Sequence, residues 1–366
     1  MNIVDKQAIP RIVGTWLIVG IVMVFLQVVI GGITRLTDSG LSITEWNVIK
    51  GVLPPLNGAQ WQIAFKKYQD NTIQFKAIHA DMTLSEFKYI FFWEYFHRLW
   101  ARSMGFVFLI PFLIFWRKKW LTGSLMRDLG VVVSLAGLAA IFGWIMVMSG
   151  LNSEQHVWVN AYKLTIHLSI AITLLSVLWW TTLKVIQPVT EYGHNKRLRR
   201  FAWRITVVIC LQLLLGGLMS GMKAGLVAPH FPHMAVGENG NWIWISEVLM
   251  EKQQWSWDNM LKYHTNSFAP ALIQLLHRGT AYLLCVLIPI FFFVVIRLRG
   301  NRILTISNYT LLTVLLIQVT LGIFTVINSL SPSIFPILGV LHQAGGILLL
   351  MAMLFVNYQF GKGGYK

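Results

Sequence analysis

The chain has 366 residues, of which 56% are hydrophobic and only 12% charged, and its formal net charge is +16. A soluble domain carries roughly 25% charged residues, so half that share excludes an ordinary soluble fold and indicates a multi-spanning membrane protein in contact with lipid. The excess of Lys and Arg does not call for a nucleic-acid partner, because these residues cluster in short segments between apolar runs, as in the retained loops of membrane proteins.

The opening segment, MNIVDKQAIPRIVGTW, reads as neither a transit peptide nor a cleavable signal, which fits a bacterial inner-membrane protein. Apolar runs then predict an all-α polytopic protein with eight spans, near 12–33, 90–116, 128–149, 160–186, 202–222, 268–296, 305–328 and 335–359. The loops after the second, fourth and sixth spans are basic: RKKWLTGSLMR (117–127), HNKRLRR (194–200) and RLRGNR (297–302). The loops after the third and seventh spans lack Lys and Arg, so both termini are expected in the cytoplasm and the long loops, about 34–89 and 223–267, outside. Cys210 and Cys285 both fall inside apolar runs and read as small buried hydrophobes, giving neither a disulfide nor a thiolate metal site.

The two halves of the chain repeat one another. QVVIGGITRLTDSGL (27–41) matches QLLLGGLMSGMKAGL (212–226), EYFHRLWA (94–101) matches QLLHRGTA (274–281), and LTIHLSIAI (164–172) matches GVLHQAGGI (339–347), at nearly constant offsets of 185, 180 and 175 residues. This is a tandem repeat of four spans. An even number of spans gives both copies the same orientation, so His97, His167, His277 and His342 are expected at one depth, in the outer half of the membrane, about seven residues into their helices.

A single intramembrane histidine can simply hydrogen-bond a neighbouring helix. Four in two repeated pairs point instead to metal ligation, and two imidazoles facing across a four-helix bundle suit the axial positions of a porphyrin iron. Glycines beside the histidines (Gly279, Gly345, Gly346) would admit a flat macrocycle or serve helix packing. Arg98 and Arg278, each next to a histidine, could pair with propionates or snorkel to the interface. The halves differ at Glu94, one turn before His97, whose counterpart is Gln274. A carboxylate can act as a base or stabilise a developing cation, which assigns chemistry to the N-terminal half and electron transfer to the C-terminal half; a plain ion pair with Arg98 or Arg102 is the simpler alternative.

These residues resemble the heme A synthase family over essentially the whole chain. The resemblance rests on GGITRLTDSGLS (31–42), WEYFHR (93–98), the histidine of TIHLSIA (165–171), LLHRG (275–279) and LHQAGG (341–346). It implies two pseudo-twofold-related four-helix bundles, here residues 1–190 and 191–366. The C-terminal bundle would hold heme B between His277 and His342. The N-terminal bundle would take heme O near His97 and His167, with Glu94 by the methyl that is oxidised through hydroxymethyl and geminal diol stages to the formyl group of heme A. A heme O synthase and oxidase assembly factors are partners that the pathway alone suggests. Some relatives carry a cysteine pair in the first external loop; residues 34–89 contain none, so no thiol step runs through that loop. Its Arg35, Trp46, Lys50 and Trp61 suit a cover for the substrate pocket or a packed cap.

Other readings remain at this point. A diheme quinol-linked electron-transfer cytochrome explains four histidines but not the Glu94/Gln274 difference, and a transporter would need helices broken at mid-membrane. His230 and His233 have the spacing of metal ligands without further ligands in evidence. Residues 239–257 suit an interfacial helix or a docking surface. Gly31-Gly32 and Gly216-Gly217 would pack helices within one protomer or between protomers of a homo-oligomer.

Overall fold

The computed structural model describes residues 9–45, 53–151, 157–187 and 195–361; Trp46 and Lys50 lie outside the described residues. Eight helices are long and apolar enough to cross a membrane, which makes this a multi-pass membrane protein: α1 (Arg11–Leu36), α4 (Leu84–Arg117), α5 (Gly123–Leu151), α6 (Ala161–Ile186), α7 (Lys196–Gly221), α9 (Phe268–Ile296), α10 (Arg302–Ile327) and α11 (Phe335–Gln359). Their ends follow local chemistry. Asn160, Asn195 and Asn301 each accept a backbone N–H at the start of α6, α7 and α10.

One boundary departs from expectation. α4 begins at Leu84 rather than near 90, because Thr83 and Glu86 form a reciprocal capping box that starts the helix in polar sequence. His97 therefore lies deeper from its helix start than the seven residues expected. The extra turns carry a small apolar cluster in which Phe65 and Tyr68 of α2 (Gly58–Asn71) pack on Phe87 and Phe91 of α4. The short α3 (Ile73–Ile78) follows, and its buried Gln74 reaches the cavity described below. The described part of the first long loop is thus a folded cap that also lines the cavity.

The second long loop corrects the interfacial-helix reading of 239–257. Ala235–Val236 (β1) and Trp242–Ile243 (β2) form a two-stranded antiparallel hairpin, followed by single 3-10 turns and the five-residue α8 (Trp257–Leu261). Gly240, at φ 76°, makes the hairpin turn.

In the first half α1 packs on α4 and α6, and α5 on α6; in the second, α7 packs on α9 and α11, and α10 on α11. α1, α6, α7 and α11 meet between the two sets. Residues related by the repeat touch one another there: Arg35 donates from Nη2 to the carbonyl of Ser220, its counterpart at a separation of 185, at 2.9 Å. Gly32 leaves room for Gln343, whose amide reaches the Val28 carbonyl at 2.8 Å, while Gly217 makes the same room for Thr165 and Leu168. Gly-Gly pairs here pack helices within the protomer. At the opposite end, Tyr358 donates to the Gln187 carbonyl at 2.6 Å and joins α6 to α11.

Candidate functional site

A cavity of about 1440 Å³ runs between the helices and is lined by Glu94, His97, His167, Gln274, His277 and His342 among others. It is larger than the ~300–1,000 Å³ of a typical one-ligand pocket. All four predicted histidines reach it, two from each half.

The halves build their histidine positions alike. Each imidazole lies against a glycine of a neighbouring helix. An added Cβ would fall 3.1 Å from His97 Cε1 at Gly31, 3.0 Å from His167 at Gly143, 3.4 Å from His277 at Gly216 and 2.8 Å from His342 at Gly322. A side chain at Gly31, Gly143 or Gly322 would push the ring out of place, so these three are required by close approach, whereas a methyl at Gly216 would meet His277 at ordinary contact distance. The sequence reading singles out Gly279, Gly345 and Gly346 instead; Gly279 faces open space, Gly345 faces Gln318 and Leu321, and Gly346 faces Leu213 and Gln318. Glutamines hold three of the rings: Gln27 at 3.2 Å from His97, Gln212 at 3.3 Å from His277 and Gln318 at 3.0 Å from His342. Gln27 and Gln212 match in the repeat, which is the signal that could have found them.

The rings of His277 and His342 sit with centroids 6.2 Å apart and planes 77° from parallel. Two metal–nitrogen bonds of about 2 Å, plus about 1 Å from each nitrogen to its ring centre, span roughly 6 Å. The His277 Nδ1 is buried without a hydrogen-bond partner. The pair therefore fits bis-imidazole ligation of one porphyrin iron. His97 and His167 line the same cavity in the first half, but His167 differs: the position of Gln318 is taken by Ala139, which offers the ring no side-chain amide.

Glu94 is 3% exposed and accepts three hydrogen bonds, from the Ser42 hydroxyl and the Ile43 N–H on Oε2, both at 2.8 Å, and from Arg98 on Oε1 at 2.5 Å. Arg98 also donates to the carbonyls of Ile43 and Glu45. In the second half the polarity is reversed. Gln274 donates to the Ala228 carbonyl at 2.9 Å, and Arg278 donates to the carbonyls of Ala228, His230 and His233. Each pair thus ties the preceding external loop to the helix that carries the histidine. The ion pair Glu94–Arg98 exists, yet a carboxylate offers roughly four lone-pair directions, so the three contacts do not exhaust this cavity-lining group.

Beside the cavity, Arg35, Asp38 and Lys223 form a charged group between the halves, with Lys223 3.7 Å from Asp38 and 3.6 Å from the centre of the Trp158 ring. Burial lowers the Lys223 ammonium from its usual range, and Asp38 opposes that effect. His230 and His233 stack on one another, and His233 on Trp242; among the described residues no group of three His, Cys, Asp or Glu could hold a metal ion.

The chain matches the cytochrome oxidase assembly protein family, COX15-CtaA, over residues 14–354. It is 37% identical to the heme A synthase of Nitrosospira multiformis, covering 97% of this chain and 95% of that one. Against the heme A synthase of Flavobacterium johnsoniae the identity is 34%, over 95% and 97%. Against heme A synthase COX15 of Bos taurus it is 36%, over 96% and 82%.

Proposed function

The chain belongs to the COX15-CtaA family of cytochrome oxidase assembly proteins, and on that premise we propose that it is a heme A synthase whose two halves divide the work. It is a membrane oxidoreductase that converts heme O to heme A. Residues 1–190 form the substrate half and residues 191–366 the electron-transfer half, as two pseudo-twofold-related bundles with both termini in the cytoplasm. The sites then lie toward the outer face of a bacterial inner membrane.

His277 and His342 hold heme B, which when bound supplies one-electron exchange. Gln212 and Gln318 orient their imidazoles, and Gly322 sets how far the His342 ring withdraws. In the other half His97, oriented by Gln27, and His167 receive the iron of heme O. Glu94, fixed by Ser42, Ile43 and Arg98, turns its remaining lone pair to the substrate methyl, where it accepts a proton or faces positive charge as that carbon is oxidised. Arg98 and Arg278, occupied with loop carbonyls, close the loops over each site and place positive charge where propionates would lie.

The observation that carries this reading is the pair of differences between otherwise repeated sites, Glu94 against Gln274 and Ala139 against Gln318. A symmetric electron carrier needs neither. The test is a heme inventory of protein purified after co-expression with a heme O supply, by acid extraction and chromatography. Heme B together with heme O, a hydroxylated intermediate or heme A supports the synthase. Heme B alone supports the diheme quinol-linked cytochrome.

A further inference from the structure

Where the second half carries His277 and His342, α9 and α10 pack along one another. Asn308 donates to the Phe292 carbonyl at 3.0 Å, Tyr309 meets the Phe292 ring at 5.0 Å, and Leu284, Ile288, Leu311 and Leu315 share a buried cluster. Their counterparts in the first half, α4 and α5, approach one another less closely, although Phe115 of α4 shares a buried cluster with Leu125, Leu129 and Val132 of α5. The repeat gives the reason. In the registers of His97/His277 and Gly143/Gly322, Asn308 and Tyr309 correspond to Leu129 and Gly130, Leu315 and Val319 to Ala136 and Ala140, and Cys285 to Gly105. The Tyr309 ring, the Asn308 amide and the bulk of Leu315 and Val319 have no equivalent in α5, although Met104, Phe108, Phe112 and Val132 stand at the positions of Leu284, Ile288, Phe292 and Leu311 and belong to one apolar cluster.

What remains is an opening. Ala101 and Gly105 of α4 and Ala136 and Ala140 of α5 are exposed on the apolar side of the molecule, yet all four line the cavity that holds His167. Leu315, by contrast, is 3% exposed. A Cβ added at Gly105 would meet nothing within 4 Å. Inside the opening, His167 lacks the side-chain amide that Gln318 supplies to the equivalent His342, because Ala139 stands at that position. A closed site beside an open one is the arrangement expected of a resident group beside a group that comes and goes.

We propose that the slot between α4 and α5 is a lateral doorway through which heme O enters from the bilayer, with its isoprenoid tail lying in the slot during reaction. This rests on the synthase reading above. Heme O is a porphyrin with a long hydrocarbon tail, and a route through lipid keeps that tail out of water. In the second half Leu315 and Val319 narrow the equivalent place, which would slow the loss of heme B.

The experiment uses the full-length protein with a heme O supply and compares wild type with Ala136→Leu/Ala140→Val, which imports the residues of the closed half. The expected result is unchanged heme B, with bound heme O and heme A output lowered roughly tenfold or more by overpacking of the slot. Wild-type heme O and heme A levels in the variant overturn the doorway and leave the synthase reading standing. No heme A from wild type overturns the synthase reading, and the doorway with it. If the variant also loses heme B, Ala140→Cys in a Cys210→Ala/Cys285→Ala background decides the question. A bulky alkyl maleimide should then block heme O uptake, while a methyl disulfide adduct leaves it at the level before modification. Equal uptake with both adducts overturns the proposal.

Discussion

Glu94 spends three lone pairs on Ser42, Ile43 and Arg98, so a substitution there touches a loop and the proposed reaction centre together. The two roles separate by comparing Glu94→Gln with Ser42→Ala. Ser42→Ala removes one neutral donor and keeps the carboxylate; it should cost about 1 kcal/mol of stability and leave most heme A output intact. Glu94→Gln installs the amide of the other half and should lower heme A output by roughly 10²-fold or more while heme B is retained. Thermal unfolding alongside extracted-heme ratios reads both, and equal activity losses in the two variants would reduce Glu94 to a loop anchor. The glycines facing the histidines make a second residue-level test. Gly322→Ala places a methyl 2.8 Å from His342 Cε1, and Gly143→Ala places one 3.0 Å from His167 Cε1. Overpacking of this kind costs about 1–3 kcal/mol. Gly322→Ala should deplete heme B, and Gly143→Ala should deplete heme O binding alone. Depletion of the same heme by both variants would contradict the division of the halves.

Between elements, the proposed heme B site should depend on α9 and α10 staying together. Tyr309→Ala removes the ring that meets Phe292 and makes this seam resemble the one between α4 and α5. An aromatic pair contributes about 1 kcal/mol, so heme B transfer to excess apomyoglobin should quicken roughly fivefold. An unchanged rate would mean the seam does not retain the heme. This seam also marks where the sequence stops being readable. The spans are visible because about twenty apolar residues in a row have few alternatives to a membrane helix. The four histidines and the Glu94/Gln274 difference stand out because the repeat aligns them. The start of α4 does not, since a capping box in polar sequence gives no hydropathy signal. Gly143 and Gly322, and Ala139 opposite Gln318, lie on α5 and α10, where the halves share little sequence. Only contact with the histidines gives them meaning. The hairpin at Ala235–Ile243 is too short for a pattern to announce it.

For the whole molecule, orientation decides which compartment the sites face. Basic segments between the spans all fall at one end of the helices, and the two long loops at the other, next to the histidines. If the positive loops are retained in the cytoplasm, Asn239 in the hairpin and Leu298 in RLRGNR lie on opposite sides of the membrane. Single cysteines at these exposed positions, in a chain without Cys210 and Cys285, test this directly. An impermeant maleimide added to spheroplasts should label Asn239→Cys at once and Leu298→Cys only after lysis. The reverse pattern would put the cavity near the cytoplasmic face. That result would leave the chemistry of Glu94 and the histidine pairs untouched, because none of their contacts depends on the direction of the membrane. It would change which side delivers protons and electrons. The doorway between α4 and α5 would keep its place, since it opens sideways into lipid whichever end of the bundle is outside.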